Sequence, residues 1–271
     1  MKINFSMWKQ ALSGLVKMES KEEWDALDLI SKWLIATRSG VTIVTLYSCA
    51  IGGLLAVRHG YFEGNWGVSI LAWLIITIGL FIAHGTNNFL NDYTDFSRGI
   101  DTDNYFRTQY GVHPLIQKFW TKEQQFRWFA VSGTLAILAG IFALFYTYFS
   151  LNIIILFIIG ALVLLFYTWP LKHLALGELS IFLVWGPIMV AAVYLVLARG
   201  DMTYFWQAAL AGIPWGLSVV SINIGKHIDK APEDKKRKVG TLPVMIGEKA
   251  ARYVNMAVLA LIYILILELV F

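Results

Sequence analysis

The chain has 271 residues, 58% of them hydrophobic, and a mean hydropathy of +0.62. A soluble domain is about 45–50% apolar, so this composition argues against a soluble fold. The net charge of +4 comes from basic residues that flank apolar blocks, a pattern that sets membrane topology and does not indicate nucleic-acid binding. The single cysteine, Cys49, excludes an internal disulfide.

The first 35 residues mix charged and aromatic side chains without an apolar core, so no signal peptide is predicted. We assign 1–35 to a cytoplasmic or interfacial segment and 36–271 to a transmembrane domain. Within the segment an interfacial amphipathic helix and a frayed polar lead-in are both compatible with the pattern. The apolar side chains of such a helix are Trp8, Leu12, Leu15 and Val16.

Seven apolar blocks follow, each near the ~20 residues that a helix needs to cross a bilayer. They predict an all-α, polytopic transmembrane bundle, with spans at roughly 40–57, 66–90, 128–148, 151–169, 178–197, 203–224 and 252–271. A soluble α-bundle is disfavoured because several blocks exceed ~18 residues with almost no charge.

Basic residues give the orientation. All but two of the 22 Lys and Arg residues lie in the N-terminal region up to Arg38 or in the connections 91–127, 170–178 and 226–252; the exceptions are Arg58 and Arg199. By the positive-inside rule these connections face the cytoplasm, which predicts a multi-pass protein of the cell (inner or plasma) membrane.

A first acidic cluster follows the second predicted span. Asn87, Asn91 and Asp95 are spaced i, i+4, i+8 and share a helix face, which His84 and Asn88 extend into the span. Gly99 is expected to end the helix. Carboxylates at a helix C-terminus oppose the helix dipole and favour a bound cation over a merely solvated helix end. The acids of this cluster are Asp92, Asp95, Asp101 and Asp103.

A second cluster follows the sixth predicted span. Asn223, Lys226 and His227 share one helix face, and Pro232 is expected to interrupt the helix. The acids of this cluster are Asp229, Glu233 and Asp234, and the basic run 235–238 then reads as a positive-inside anchor. Two acidic clusters beside apolar spans suggest hard divalent cations, magnesium above all, facing a phosphorylated ligand.

These residues resemble the motifs of UbiA-type intramembrane prenyltransferases, and are most similar to the branch that prenylates 1,4-dihydroxy-2-naphthoate for menaquinone biosynthesis. The matching segments are Asn91-Asp92-Tyr93-Thr94-Asp95 with Gly99 and Asp101, Tyr167-Thr168-Trp169-Pro170-Leu171-Lys172, Leu176-Gly177-Glu178-Leu179, Trp185-Gly186-Pro187, and Asn223 through Asp234 closing with Thr241-Leu242-Pro243. Arg38 matches a frequent family arginine. The matches run over about residues 33–250 in the family's order, which no single short motif would establish.

The sequence departs from the family in three ways. The family usually has nine spans, so a final hairpin is either missing from a truncated sequence or dispensable. His113-Pro114 stands where Arg-Pro is usual, which leaves Arg107 to contact the diphosphate. Asp229 and Asp234 are five apart where the family's acids are four apart, and Glu233 is the alternative ligand.

The resemblance implies magnesium-dependent transfer of a prenyl group from a prenyl diphosphate to an aromatic acceptor. It assigns metal binding to Asp92, Asp95, Asp101, Asp229 and Asp234. It assigns orientation of metal or phosphate to Asn91 and Asn223, and diphosphate binding to Lys226, Arg107 and Lys172. Among these, Asp95, Asp229, Lys226 and Arg107 are the predicted catalytic residues, and Lys172 is equally explained as a positive-inside residue.

Two alternatives stay open. The same chemistry on another acceptor, such as an aromatic acid, a tetrapyrrole or a glycerol phosphate lipid, fits the motifs equally well, because they describe the diphosphate and not the acceptor. A truncated, non-catalytic membrane protein or a transporter would also carry acids in apolar helices, although transporter sites lie nearer the membrane midplane.

Overall fold

The computed structural model describes residues 3–100, 111–174 and 176–270, without the side chains of 172, 173, 269 and 270. All regular structure within these ranges is helical. The helices are α1 (Phe5–Ser13), α2 (Lys21–Ala26), α3 (Leu29–Ala36), α4 (Ser39–Arg58), α5 (Trp66–Ser97), α6 (Lys122–Tyr146), α7 (Leu151–Phe166), α8 (Gly177–Leu183), α9 (Met189–Leu197), α10 (Phe205–Ala211), α11 (Ile213–Lys236), α12 (Leu242–Ile246) and α13 (Glu248–Val270). A 3₁₀ turn, Leu171–Leu174, precedes α8, and a π-helical turn, Val184–Ile188, joins α8 to α9.

Six helical stretches of the described chain are long and apolar enough to cross a membrane: Ser39–Arg58, Trp66–Ser97, Lys122–Tyr146, Gly177–Leu197, Phe205–Lys236 and Glu248–Glu268. The chain is thus an all-α, multi-pass membrane protein, and this part of the prediction is confirmed. The fourth predicted span, 151–169, is the 16-residue helix α7. At 1.5 Å per residue α7 is about 24 Å long, shorter than the ~30 Å hydrocarbon layer.

The chain folds as two compact units. Unit 1 comprises Met1–Ile43 and Gly79–Leu138, and unit 2 comprises Val44–Ile78 and Ala139–Phe271. The long helices α4, α5 and α6 are each divided between the units. The first acidic cluster belongs to unit 1 and the second to unit 2.

Trp24 lies at the centre of the core of unit 1. Its side chain is fully buried and stacks on Phe119 at 5.3 Å between ring centroids, with Trp120 edge-on at 5.2 Å. Residues of α1, α3 and α5 complete the same cluster. The N-terminal segment is therefore packed protein and not a frayed lead-in, because its apolar side chains meet those of residues 112–120.

Asp28 joins α1 to α3. Its Oδ1 accepts hydrogen bonds from the backbone N–H groups of Ile30 and Ser31 at the start of α3, and from the Trp8 indole at 3.1 Å. Its Oδ2 accepts from the Ser31 hydroxyl and from the Asn4 N–H. Burial alone would raise the pKa of Asp28, but these hydrogen bonds lower the pKa to about 2. The carboxylate is thus ionised at neutral pH and caps α3 as an anion.

Unit 2 contains a contact between helix backbones with no side chain between them. A Cβ at Gly186 would lie 2.8 Å from the Cα of Gly216, and a Cβ at Gly216 would lie 2.6 Å from the carbonyl oxygen of Phe182. Ser48 lies nearby in the packing of this unit: it donates to the Trp185 carbonyl at 2.6 Å and accepts from the Trp215 indole at 3.0 Å. Small residues allow such close approach of helices in membranes.

Two connections of unit 2 meet at one end of the helices. Tyr61, between α4 and α5, donates to Asp201, between α9 and α10, at 2.7 Å. The hydrogen bonds from Thr203 and Tyr61 lower the pKa of Asp201, so its carboxylate stays ionised as an acceptor. The sequence predicts that both connections face away from the cytoplasm, and their contact agrees with their lying at the same end of the helices.

Candidate functional site

The first acidic cluster lies in the last turns of α5. Asn87, Asp92 and Asp95 are buried, and Asn91 is half-buried. Helix α5 ends at Ser97, after which Gly99 has a φ of 72°. The Gly99 N–H bonds the Phe96 carbonyl at 3.1 Å and the Ile100 N–H bonds the Asp95 carbonyl at 2.9 Å. These are the bonds of a Schellman motif, so the prediction that Gly99 ends the helix is confirmed.

Two successive turns of α5 hold the junction between α3 and α4. Asn88 donates to the Thr37 carbonyl at 2.7 Å, and the Asp92 Oδ1 lies 3.2 Å from Nη2 of Arg38. Asp92 is fully buried and Arg38 nearly so, with a φ of 56° in the left-handed region. An ion pair this deeply buried fixes both side chains, because separating them would leave an uncompensated charge.

The donors of the first cluster suit a hard cation. Asp92 and Asp95 are one helix turn apart, and Asn91 adds an amide oxygen beside them. Magnesium in proteins typically takes one or two carboxylates and completes its octahedron with water and phosphate oxygens. Within the described ranges no three His, Cys, Asp or Glu side chains form a group that could hold a metal ion. The predicted residues Asp101, Asp103 and Arg107 lie outside the described residues.

Pro232 does not interrupt the helix of the second cluster, and this prediction is wrong. Helix α11 continues through Pro232 to Lys236. Proline removes only one hydrogen bond here, and ion pairs on both sides of it stabilise the last turns. At about 100° per residue, Asp229 and Asp234 point about 140° apart, whereas Asp229 and Glu233 are about 40° apart.

Two of the three acids of the second cluster are engaged in ion pairs. Asp234 is buried, 3.5 Å from Nζ of Lys230 and 3.4 Å from the Thr241 hydroxyl. Glu233 lies 2.7 Å from both Lys236 and Arg237. Asp229 is exposed and, within the described chain, has no ion pair. The metal-ligand assignments of these acids stay predictions, and the geometry gives Asp234 a further role in holding the turn after α11.

Glu178, which the sequence analysis did not place in a site, lies in the first turn of α8. Its Oε1 accepts from Nδ1 of His227 at 2.9 Å and from the backbone N–H of Leu242 at 3.2 Å. Both side chains are buried. The sequence did contain a signal for this residue: Glu178 is an acid at the start of an apolar span. A carboxylate there is costly to bury unless it is paired.

The remaining residues singled out from the sequence differ in burial and in hydrogen-bond partners. Asn223 and Lys226 are half-buried on α11, and the Asn223 amide lies 3.4 Å from Nδ1 of His227. His113 is fully buried in unit 1, where its backbone N–H donates to the Gln117 side-chain oxygen at 2.9 Å. The side chain of Lys172 is not among those described.

Comparison with known proteins identifies the family. The model of the UbiA prenyltransferase family matches residues 45–271. The chain is 27% identical to UbiA prenyltransferase domain-containing protein 1 of Danio rerio over 82% of this chain and 64% of that protein. It is 27% identical to 1,4-dihydroxy-2-naphthoate octaprenyltransferase of Bacillus subtilis over 75% of this chain and 64% of that protein. The chain thus spans less than two thirds of the length of these two relatives.

A solved structure of digeranylgeranylglyceryl phosphate synthase matches with a TM-score of 0.56 and 21% identity. The match covers 87% of this chain and 75% of that one. At this identity the likeness concerns the fold alone. It agrees with the all-α membrane architecture described above.

Proposed function

The chain belongs to the UbiA prenyltransferase family, and from this premise we propose that it transfers a prenyl group from a prenyl diphosphate to an aromatic acceptor. The observation that carries the proposal is the pair Asp92 and Asp95, two buried carboxylates one turn apart at the end of an apolar helix. Two carboxylates at the end of an apolar span suit a bound divalent cation, with Arg38 holding one of them in place.

Asp92, Asp95 and Asp101 of the first cluster would hold magnesium, with Asn91 orienting the metal or the phosphate, and Asp229 and Asp234 are the proposed donors of the second. Bound there, magnesium would neutralise the diphosphate and stabilise it as a leaving group. The role of Arg38 is to fix the Asp92 carboxylate at 3.2 Å. Lys226, Arg107 and Lys172 are proposed to bind the diphosphate oxygens as cations.

For the acceptor we propose 1,4-dihydroxy-2-naphthoate, and hence a role in menaquinone biosynthesis. Two relatives, from Bacillus subtilis and Haemophilus influenzae, carry the name of that octaprenyltransferase. Other relatives are named only as UbiA prenyltransferase domain-containing protein 1, so an aromatic acid, a tetrapyrrole or a glycerol phosphate lipid is the alternative acceptor. A non-catalytic membrane protein or transporter is the alternative outside enzymes.

The decisive experiment is a transfer assay with purified protein in detergent or nanodiscs. A labelled prenyl diphosphate, magnesium and a panel of acceptors are supplied, and the labelled products are separated. We expect a prenylated naphthoate that disappears when a chelator removes magnesium. Product on a different acceptor would replace the naphthoate assignment, and no product on any acceptor would favour the non-catalytic alternative.

Topology gives a second test. Ser97 and Lys235, exposed beside the two acidic clusters, are each replaced by Cys, and Glu63, exposed in the α4–α5 connection, serves as the opposite control. Cys49 is fully buried, so the native thiol is a silent background. We expect an impermeant thiol reagent added to intact cells to label Glu63→Cys alone. Labelling of Ser97→Cys or Lys235→Cys under that condition would contradict the proposed cytoplasmic orientation.

A further inference from the structure

The proposed mechanism leaves one buried group of unit 2 without a role. Glu178 brings together three elements: its own helix α8, His227 of α11 and the first residue of α12, Leu242. The Glu178 and His227 side chains are only 11% and 5% exposed. Burying two ionisable side chains together has a desolvation cost. Such pairs are therefore candidates for a functional role.

The pairing decides which ring nitrogen of His227 carries a proton. A carboxylate only accepts hydrogen bonds, so at 2.9 Å from Glu178 the Nδ1 of His227 must be the N–H donor. In a neutral imidazole the lone pair then lies on Nε2. Among the residues that the structure describes, none is hydrogen-bonded to Nε2. The Asn223 amide nitrogen lies 3.4 Å from Nδ1, but because an amide nitrogen only donates, this contact is not a hydrogen bond when Nδ1 carries the proton.

The lone pair on Nε2 limits the kinds of ligand group that it can bind. A nitrogen lone pair accepts a hydrogen bond from a hydroxyl group, whereas phosphate and carboxylate oxygens are themselves acceptors. Magnesium prefers oxygen ligands to imidazole. The ligand that matches this edge of the ring is therefore an O–H donor.

We propose that His227 binds a hydroxyl group of the aromatic acceptor through Nε2, and that Glu178 is the positioning residue that fixes the tautomer and the ring. The inference rests on the proposed function and extends it to the acceptor. His227 shares a helix face with Asn223 and Lys226, which are proposed to contact the metal or the diphosphate. The hydroxyl keeps its proton in the bound state, so the proposal concerns binding and not proton transfer.

The test compares 1,4-dihydroxynaphthalene with 1,4-dimethoxynaphthalene, in which methyl groups replace the two hydroxyl protons. Calorimetry on the full-length protein measures the binding of each. Wild-type protein is expected to prefer the diol by about tenfold, which is what one hydrogen bond contributes. The transfer assay supplies KM for the acceptor and, separately, KM for the prenyl diphosphate.

Paired variants separate positioning from folding. His227→Asn keeps an N–H near the position of Nδ1 but has no group at Nε2, whereas His227→Gln extends an amide oxygen towards it. Glu178→Gln keeps the accepting oxygen, and Glu178→Leu removes it. We expect His227→Asn and Glu178→Leu to lose the preference for the diol and to raise KM for the acceptor alone. The Gln variants should retain much of both.

The outcomes separate a failure of the role assigned to His227 from a failure of the proposed prenyl-transfer function. A His227→Asn protein that still prefers the diol would overturn the inference, as would a rise in KM for the prenyl diphosphate instead of the acceptor. The latter result would mean that the ring binds phosphate as a cation. If the wild-type protein transfers to no acceptor, the proposed function fails, and the inference fails with it. If it transfers but has no diol preference, the inference alone fails.

Discussion

Replacing Asp95 by Asn is expected to lower kcat/KM by about 10³-fold, equivalent to about 4 kcal/mol of transition-state stabilisation. The amide preserves the shape of the side chain but removes the negative charge that offsets a bound divalent cation. Asp95 is 2% exposed and one helix turn from Asp92, so its carboxylate lies beside a second proposed metal ligand. The measurement is the magnesium-dependent transfer rate, with the magnesium concentration varied over the whole activation curve.

Asp25→Asn is the matched control, because Asp25 is exposed and its ion pair with Lys21 lies on the surface of α2. It is expected to retain the wild-type rate, since surface ion pairs contribute little. Thermal unfolding of both variants must show that they remain folded. A folded Asp95→Asn protein with more than about a tenth of the wild-type rate would remove Asp95 from the metal site.

Replacing Trp24 by Ala is expected to destabilise unit 1 by about 3–5 kcal/mol, the usual cost of emptying a fully buried aromatic site. Trp24 contacts Phe119 and Trp120, so the cavity would separate the N-terminal helices from residues 112–120. The measurement is the midpoint of thermal unfolding, together with the rate at which a protease cleaves the N-terminal segment.

Trp206→Ala is the control for this substitution, since the Trp206 side chain is 72% exposed. It is expected to leave both measurements nearly unchanged. If Trp24→Ala behaves like Trp206→Ala, the N-terminal helices do not depend on this core, and the frayed lead-in considered from the sequence becomes the better description.

The spans and the first cluster were predictable because both depend on local sequence. Long apolar blocks give helices by length and composition, and a glycine after a run of polar residues ends one, as Gly99 does. The end of α7 was misjudged, because the predicted span ran on to residue 169 whereas the helix ends at Phe166. Apolarity alone does not report where a helix stops.

The pairings within each unit were not predictable, because they join residues distant in sequence. Glu178 and His227 are 49 residues apart, and Arg38 reaches Asp92 from before the first span. Pro232 was misread for a related reason: its cost in a helix is local, but the ion pairs of Lys230 and Glu233 that offset it become visible only once the helix is built. A charge pattern in the sequence indicates that a buried acid has a partner, but it does not identify the partner residue.

The backbone contact between Gly186 and Gly216 also bears on how this chain can vary. Every glycine codon begins with a pair of guanines, and each single-base change that alters the amino acid introduces a residue with a Cβ or stops translation. A Cβ at either position would lie within 2.8 Å of a backbone atom of a neighbouring helix. None of the amino acids that a single-base change can introduce at these positions therefore fits the contact. We therefore expect every amino-acid change at these two codons to be selected against.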